Sequence, residues 1–243
     1  MARFEAALLD YANTVVQFDR PQMQAIHSQL ATHLSTTVAP IDAATLGRAM
    51  DLVCGQPALS RDKREYTPVE QMQLALREAY GRPFAIDDPV VIDADARYQE
   101  LWVGILAIDE RTLPALASIA SRVTLGLVSN FPCGDTLRRS LTVLGLAGRF
   151  APIVISGEVG YVKPHPRLFQ TALAELGVAP ERVLFVGDSW AGDMVGGHAA
   201  GMATCHHVGM TSELDTAERY ATYKPDFSIR HLDELDRILA GTA

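Results

Sequence analysis

From about Ala107 to the C-terminus, short runs of strongly apolar residues alternate with stretches in which apolar residues recur every three or four positions. No other feature constrains the fold of the chain so tightly. Uninterrupted apolar runs of this length suit strands covered on both faces, and the longer periodic stretches suit helices that bury one side. Val123 to Val128, Ile153 to Ile155, Val183 to Val186, Met202 to His206 and a run beginning at Phe227 are the expected strands. Between and after them come Leu137, Leu141 and Leu144, then Leu168, Ala172, Leu173 and Leu176, a small-residue helix around Met194 to Ala200, and a last helix reaching Leu239. Repeated strand–helix units pack as a parallel sheet with helices on both faces. One more strand, Ala6 to Leu9, stands alone near the N-terminus. The segment after it, roughly Phe18 to Ile108, has no convincing strand and carries the stripes Met23, Ile26, Leu30 and Leu34; Val69, Met72, Leu76 and Ala79; and Tyr98, Leu101, Trp102 and Ile105. The expectation is an α/β core over 1–16 and 109–243, interrupted after its first strand by an all-helical insert over 17–108.

At 243 residues the chain can bury a large core without staples. Cys54, Cys133 and Cys205 are far apart and form no CxxC pair, so neither a disulfide framework nor a structural zinc site is indicated. Twenty-nine acidic against 21 basic residues, a net charge of −8, disfavour a nucleic acid or an anionic membrane as the main partner. The N-terminal apolar run is too short for a signal peptide, and no stretch of about eighteen apolar residues occurs after it. A soluble, cytoplasmic protein is expected. His206-His207 and Asp93/Asp95 read as surface or strand-end residues and receive no role.

Open parallel sheets bind ligands beyond the carboxyl ends of their strands. Four strand ends here carry reactive groups: Asp10-Tyr-Ala-Asn-Thr14, Ser129-Asn130, Ser156-Gly-Glu-Val-Gly-Tyr-Val-Lys-Pro164, and Gly187-Asp188-Ser-Trp-Ala-Gly-Asp193. Asp10 can attack phosphorus as a carboxylate nucleophile. Asp10, Asp188 and Asp193 form a sparse, all-oxygen set suited to Mg2+, which keeps several waters and uses few carboxylates. Ser129 and Asn130 can hold phosphoryl oxygens while Lys163 supplies a compact positive charge.

In their order and placement these segments resemble the four motifs of the haloacid dehalogenase superfamily, with GYVKPHPRLFQTALAELG and VLFVGDS the most specific part. The resemblance implies a Rossmann-like, doubly wound α/β core with a helical cap that closes over the site and selects small-molecule substrates. It also implies an Mg2+-dependent phosphatase that hydrolyses a small organic phosphate ester through an aspartyl-phosphate on Asp10. Substrate identity does not carry over with the fold. Arg61, Lys63 and Arg64 of the insert, and Phe131-Pro132-Cys133 after the second motif, are the candidate substrate selectors. Arg61 to Glu65 otherwise reads as an exposed charged turn.

The superfamily's phosphatases usually read Asp-x-Asp in the first motif, and here the second position is Ala12. The resemblance gives that second carboxylate the task of protonating the leaving group and then activating water, and gives its backbone carbonyl a place on the metal. Alanine keeps the carbonyl and deletes the acid–base group, a loss of roughly 10² to 10⁴ in rate. Three readings are open. The chain is a phosphatase whose catalytic carboxylate has been exchanged, as in an engineered variant that holds its substrate or phospho-intermediate. Or Ala12 suits another reaction, as in phosphonoacetaldehyde hydrolases, which resemble this chain in carrying alanine there and use a cap lysine as a Schiff base; Lys63 is the lysine available. Or the chain is a non-catalytic protein that binds a phosphorylated ligand.

Overall fold

The computed structural model describes residues 3–209 and 223–241. Six strands form one parallel sheet in the order β3-β2-β1-β4-β5-β6: β1 (Ala6–Leu9), β2 (Thr124–Ser129), β3 (Ile153–Ile155), β4 (Val183–Gly187), β5 (Ala203–His207) and β6 (Phe227–Ile229). β1 is central, paired with β2 on one side and β4 on the other. Its four residues, Ala-Ala-Leu-Leu, are fully buried, as a strand with helices on both faces must be. Side chains alternate along a strand, so Ala7 and Leu9 join one apolar cluster and Ala6 and Leu8 another. The second cluster lies under α7 (Pro166–Leu176), through Leu168, Phe169 and Ala172. The first lies under α5 (Thr112–Ala120), α6 (Gly134–Val143) and a final helix Leu235–Leu239, and runs on into the insert.

The insert is four helices: α1 (Arg20–Thr37), α2 (Ala43–Leu59), α3 (Pro68–Tyr80) and α4 (Pro89–Ile105). α1 packs on α2 and α4, and α3 packs on the same two. The stripes expected from sequence are its core: Ile26, Leu30, Leu34, Met72, Leu76 and Trp102 are buried. α2 belongs to no expected stripe, because Gly47, Gly55 and Pro57 dilute its pattern, yet Leu46, Met50 and Val53 line one buried face. The insert leaves and rejoins the core through paired backbone. Gln17 N donates to Ala107 O at 2.8 Å, and Gln22, in the capping box that opens α1, donates from Nε2 to Ile105 O at 2.7 Å at the end of α4. Among the described residues no helix is long and apolar enough to cross a membrane.

Candidate active site

The register of β1 places Asp10 at the centre of the sheet's carboxyl edge. Its backbone N–H donates to Val186 O of β4 at 2.8 Å, which continues the ladder one residue past Leu9. The chain then doubles back: the amides of Val15 and Val16 donate to Tyr11 O at 2.9 and 3.0 Å. Asn13 takes a left-handed conformation (φ 59°), which its short polar side chain tolerates by accepting from Phe18 N at 3.1 Å. Tyr11 turns down into the core, where its hydroxyl hydrogen-bonds Ser140 Oγ at 2.5 Å. Asp10 turns the other way, into the site.

Lys163 arrives from the loop after β3. The Asn130 side chain clamps its peptide unit, with Oδ1 accepting from Lys163 N at 2.7 Å and Nδ2 donating to Lys163 O at 3.4 Å. The ammonium is 3% exposed and spends its three protons on Asp10 Oδ1 (2.6 Å), Asp193 Oδ1 (2.7 Å) and Val128 O (2.9 Å). Burial alone would lower its pKa; the adjacent Asp10 and Asp193 outweigh that and raise it. Lys163 is therefore a fixed positive charge.

After β4 the chain passes through a π-helical turn, Trp190–Met194, which brings Asp193 back against the strand end. Asp193 Oδ2 accepts from Ser189 N at 3.0 Å. A Cβ at position 187 would collide with the Asp193 carboxylate, so this turn requires the glycine that precedes Asp188. Oxygens of Asp10, Asp188 and Asp193 all lie within 4.8 Å of one another. Three carboxylates face one ammonium. Burial, followed for Asp188 by the charges of Asp10 and Asp193, pushes the carboxyls of Asp188 and Asp193 upward. An all-oxygen cluster short of positive charge fits a hard divalent cation such as Mg2+, with Asp10, Asp188 and Asp193 as the side chains to hold it.

A family model described as haloacid dehalogenase-like hydrolase matches residues 4–201. The chain belongs to the haloacid dehalogenase-like hydrolase family. It is 31% identical over 144 residues to a glyceraldehyde 3-phosphate phosphatase of Methanothermobacter thermautotrophicus, a match over 58% of this chain and 61% of that one. A phosphoglycolate phosphatase of Yersinia pseudotuberculosis is 36% identical over 51% of this chain and 50% of its own length. This chain thus spans about half to six-tenths of these curated relatives. Among solved structures, the magnesium-bound hydrolase YfnB of Bacillus subtilis superposes with a TM-score of 0.73 at 19% identity over 98% of this chain and 99% of that one. A 2-haloacid dehalogenase of Pseudomonas syringae does so with 0.75 at 20% identity over 99% and 100%. At such identities the likeness is one of fold.

Within this family member, Asp10, Lys163, Asp188 and Asp193 converge, and Ser129 lies buried at the end of β2 beside Asn130. The candidate basic residues of the insert, Arg61, Lys63 and Arg64, make no hydrogen bond or ion pair with these groups. Arg61 is exposed, the Lys63 ammonium donates to Ala58 O at 2.5 Å, and Arg64 pairs with Glu70 at 2.9 Å. Glu65 departs from the expected exposed turn: it is 7% exposed. Its carboxylate accepts from Ser156 Oγ of the core (2.6 Å), its own neighbour's amide at Tyr66 (3.0 Å) and Gln71 Nε2 (3.4 Å), and burial raises its pKa against those bonds. The backbone binds across the same seam, Glu65 N to Gly160 O at 3.0 Å and Val162 N to Lys63 O at 2.8 Å. His206 and His207 are strand-end residues as expected, but both are buried rather than at the surface, and His206 Nε2 lies 3.0 Å from Asp188 O, bracing the loop that carries Asp188. Position in sequence was the missed signal: β5 is a strand of the same sheet, so its end faces the same edge. Asp93 is exposed and pairs with His33 at 2.5 Å, and half-buried Asp95 accepts from Gln99 at 2.9 Å.

Proposed function

We propose that the chain is an Mg2+-dependent phosphomonoester hydrolase acting on a small organic phosphate, with Asp10 as nucleophile and turnover restricted by Ala12. The observation that carries this is the buried Lys163 ammonium joined to both Asp10 and Asp193, with Asp188 alongside. Lys163 holds the Asp10 carboxylate at a fixed place and meets the charge that grows on the phosphoryl oxygens. Ser129 donates a hydrogen bond to one of those oxygens, and Asn130 keeps Lys163 in position. Mg2+, when bound, supplies further positive charge for the phosphate. Attack of an Asp10 oxygen on phosphorus forms the aspartyl-phosphate as the ester oxygen departs with the electrons of the P–O bond. At position 12 no side chain can protonate that oxygen or deprotonate the water that attacks next. The helical insert acts as a cap that shuts water out during the first step.

The names of the Methanothermobacter and Yersinia relatives support this reading, since both are phosphatases. The phosphonate reading needs a lysine amine free to attack a carbonyl, whereas the Lys63 ammonium is bound to Ala58 O. Phosphate release across a panel of monoesters is the test. Ala12→Asp should raise it by about 10² to 10⁴, the worth of a placed acid–base group, and Asp10→Asn in that background should abolish it. Equal, negligible release from Ala12 and Ala12→Asp proteins over a broad panel would refute the phosphatase reading.

A further inference from the structure

Between the insert and the core lies a cavity of 210 Å³. Three of its lining residues adjoin the reactive groups in the chain: Ala12 follows Asp10 by two, Asn130 follows Ser129, and Val162 precedes Lys163. Asp10 and Lys163 are not lining residues themselves; these chain neighbours are what link the cavity to the site, on the side open to the leaving group of a phosphate held at Asp10. The wall is aromatic. Phe18, Tyr98, Trp102 and Phe131 line it, with the Trp102 and Phe131 rings 4.2 Å apart and Phe18 5.7 Å from Trp102. Its acidic group is Glu65, held by Ser156 and Gln71. No Lys, Arg or His is among the described lining residues, and Lys63 and Arg64 are engaged with Ala58 and Glu70.

We infer that the cavity selects a phosphate ester whose leaving group is a neutral, apolar alcohol or phenol about the size of a benzyl group. This rests on the phosphatase reading and names the substrate class for it. A cavity of about 150 Å³ already accepts benzene, so 210 Å³ has room for a benzyl group. Aromatic walls reward apolar surface, roughly fourfold in affinity for each methylene removed from water. A carboxylate on the leaving group would lose its water beside Glu65 with no cation to receive it. Ala12 extends the apolar lining where an aspartate would have placed another negative charge.

Calorimetry on the chain itself in Mg2+, where slow turnover leaves the esters intact, tests this with benzyl phosphate, phosphoglycolate, phosphoserine and inorganic phosphate. Benzyl phosphate should bind at least about tenfold more tightly than inorganic phosphate, the effect of two or more buried methylene equivalents. Phosphoglycolate should bind no more tightly than inorganic phosphate, and phosphoserine, whose ammonium can meet Glu65 but whose carboxylate finds no cation, should bind less tightly than benzyl phosphate. Glu65→Gln should tighten phosphoglycolate relative to benzyl phosphate; if that variant does not fold, the ranking in the unaltered chain decides. Phosphoglycolate or phosphoserine equal to or tighter than benzyl phosphate, with inorganic phosphate still bound, overturns this inference and leaves the phosphatase reading standing. Failure of every ester and of inorganic phosphate to bind overturns both.

Discussion

Lys163 shows how much of the site depends on one charge. Its ammonium is the cation in contact with Asp10 and Asp193, and all three groups are buried. Removing one partner of a buried ion pair costs about 3 to 5 kcal/mol, because the charge left behind has neither water nor a counter-ion. Lys163→Met should therefore lower the melting temperature sharply in metal-free buffer, and Mg2+ should restore more of it than in the unaltered chain. A variant melting within a degree or so of the parent, indifferent to Mg2+, would contradict this charge balance. His207 carries a second residue-scale prediction. Burial, with smaller contributions from nearby His231 and His206, lowers its pKa from 6.5 to about 4. The unfolded chain then binds more protons than the folded one between those values. The stability this histidine confers is fully present above pH 6.5 and falls away as the pH drops toward 4, by about 3 kcal/mol in total. Chemical denaturation at intervals from pH 7.5 to 4 should show that slope, and His207→Gln should flatten it.

At the scale of elements, the strands were legible because each is a short, mostly apolar run ending in a polar turn, and β1 to β5 fall within a residue or so of their expected limits. Asp10, Lys163, Asp188 and Asp193 were legible for a related reason: once the sheet is parallel, its topology decides which turns share an edge. Three things were not. α2 hides behind its glycines and Pro57. Glu65 sits in a run of charged residues that composition alone assigns to solvent, and only the fold reveals that Ser156 of the core meets it. The aromatic wall draws Phe18, Trp102 and Phe131 from segments far apart in sequence, so no local pattern announces it. β1 makes the strongest demand on packing, since Leu8 and Leu9 are buried on opposite faces. Leu8→Ala should cost about 2 to 5 kcal/mol in urea denaturation; a loss under about 1 kcal/mol would mean that this face of the sheet is not close-packed.

For the whole molecule, the proposed function turns on how the insert meets the core. Two backbone hydrogen bonds and the Glu65–Ser156 bond close the seam beside the site, while the Gln17–Ala107 pairing holds both connections together at the base. Opening has to break the former and can spare the latter. Amide hydrogen exchange should accordingly be faster at Glu65 and Val162 than in β1, and Mg2+ with inorganic phosphate should slow those two amides selectively. Exchange at the seam as slow as in β1, and unchanged by ligand, would mean that the insert does not gate the site. The proposed task of the assembled molecule is to move a phosphoryl group onto Asp10 and, lacking a carboxylate at position 12, to release it slowly. An aryl ester gives the most direct view, because 4-nitrophenolate departs without help from an acid. Rapid mixing of the unaltered chain with 4-nitrophenyl phosphate and Mg2+ should release one nitrophenolate per active chain in a burst before a slow phase sets in, with the phosphoryl group found by peptide mapping on Asp10. No burst, or a phosphoryl group on any other residue, would contradict the assignment of Asp10 as the nucleophile.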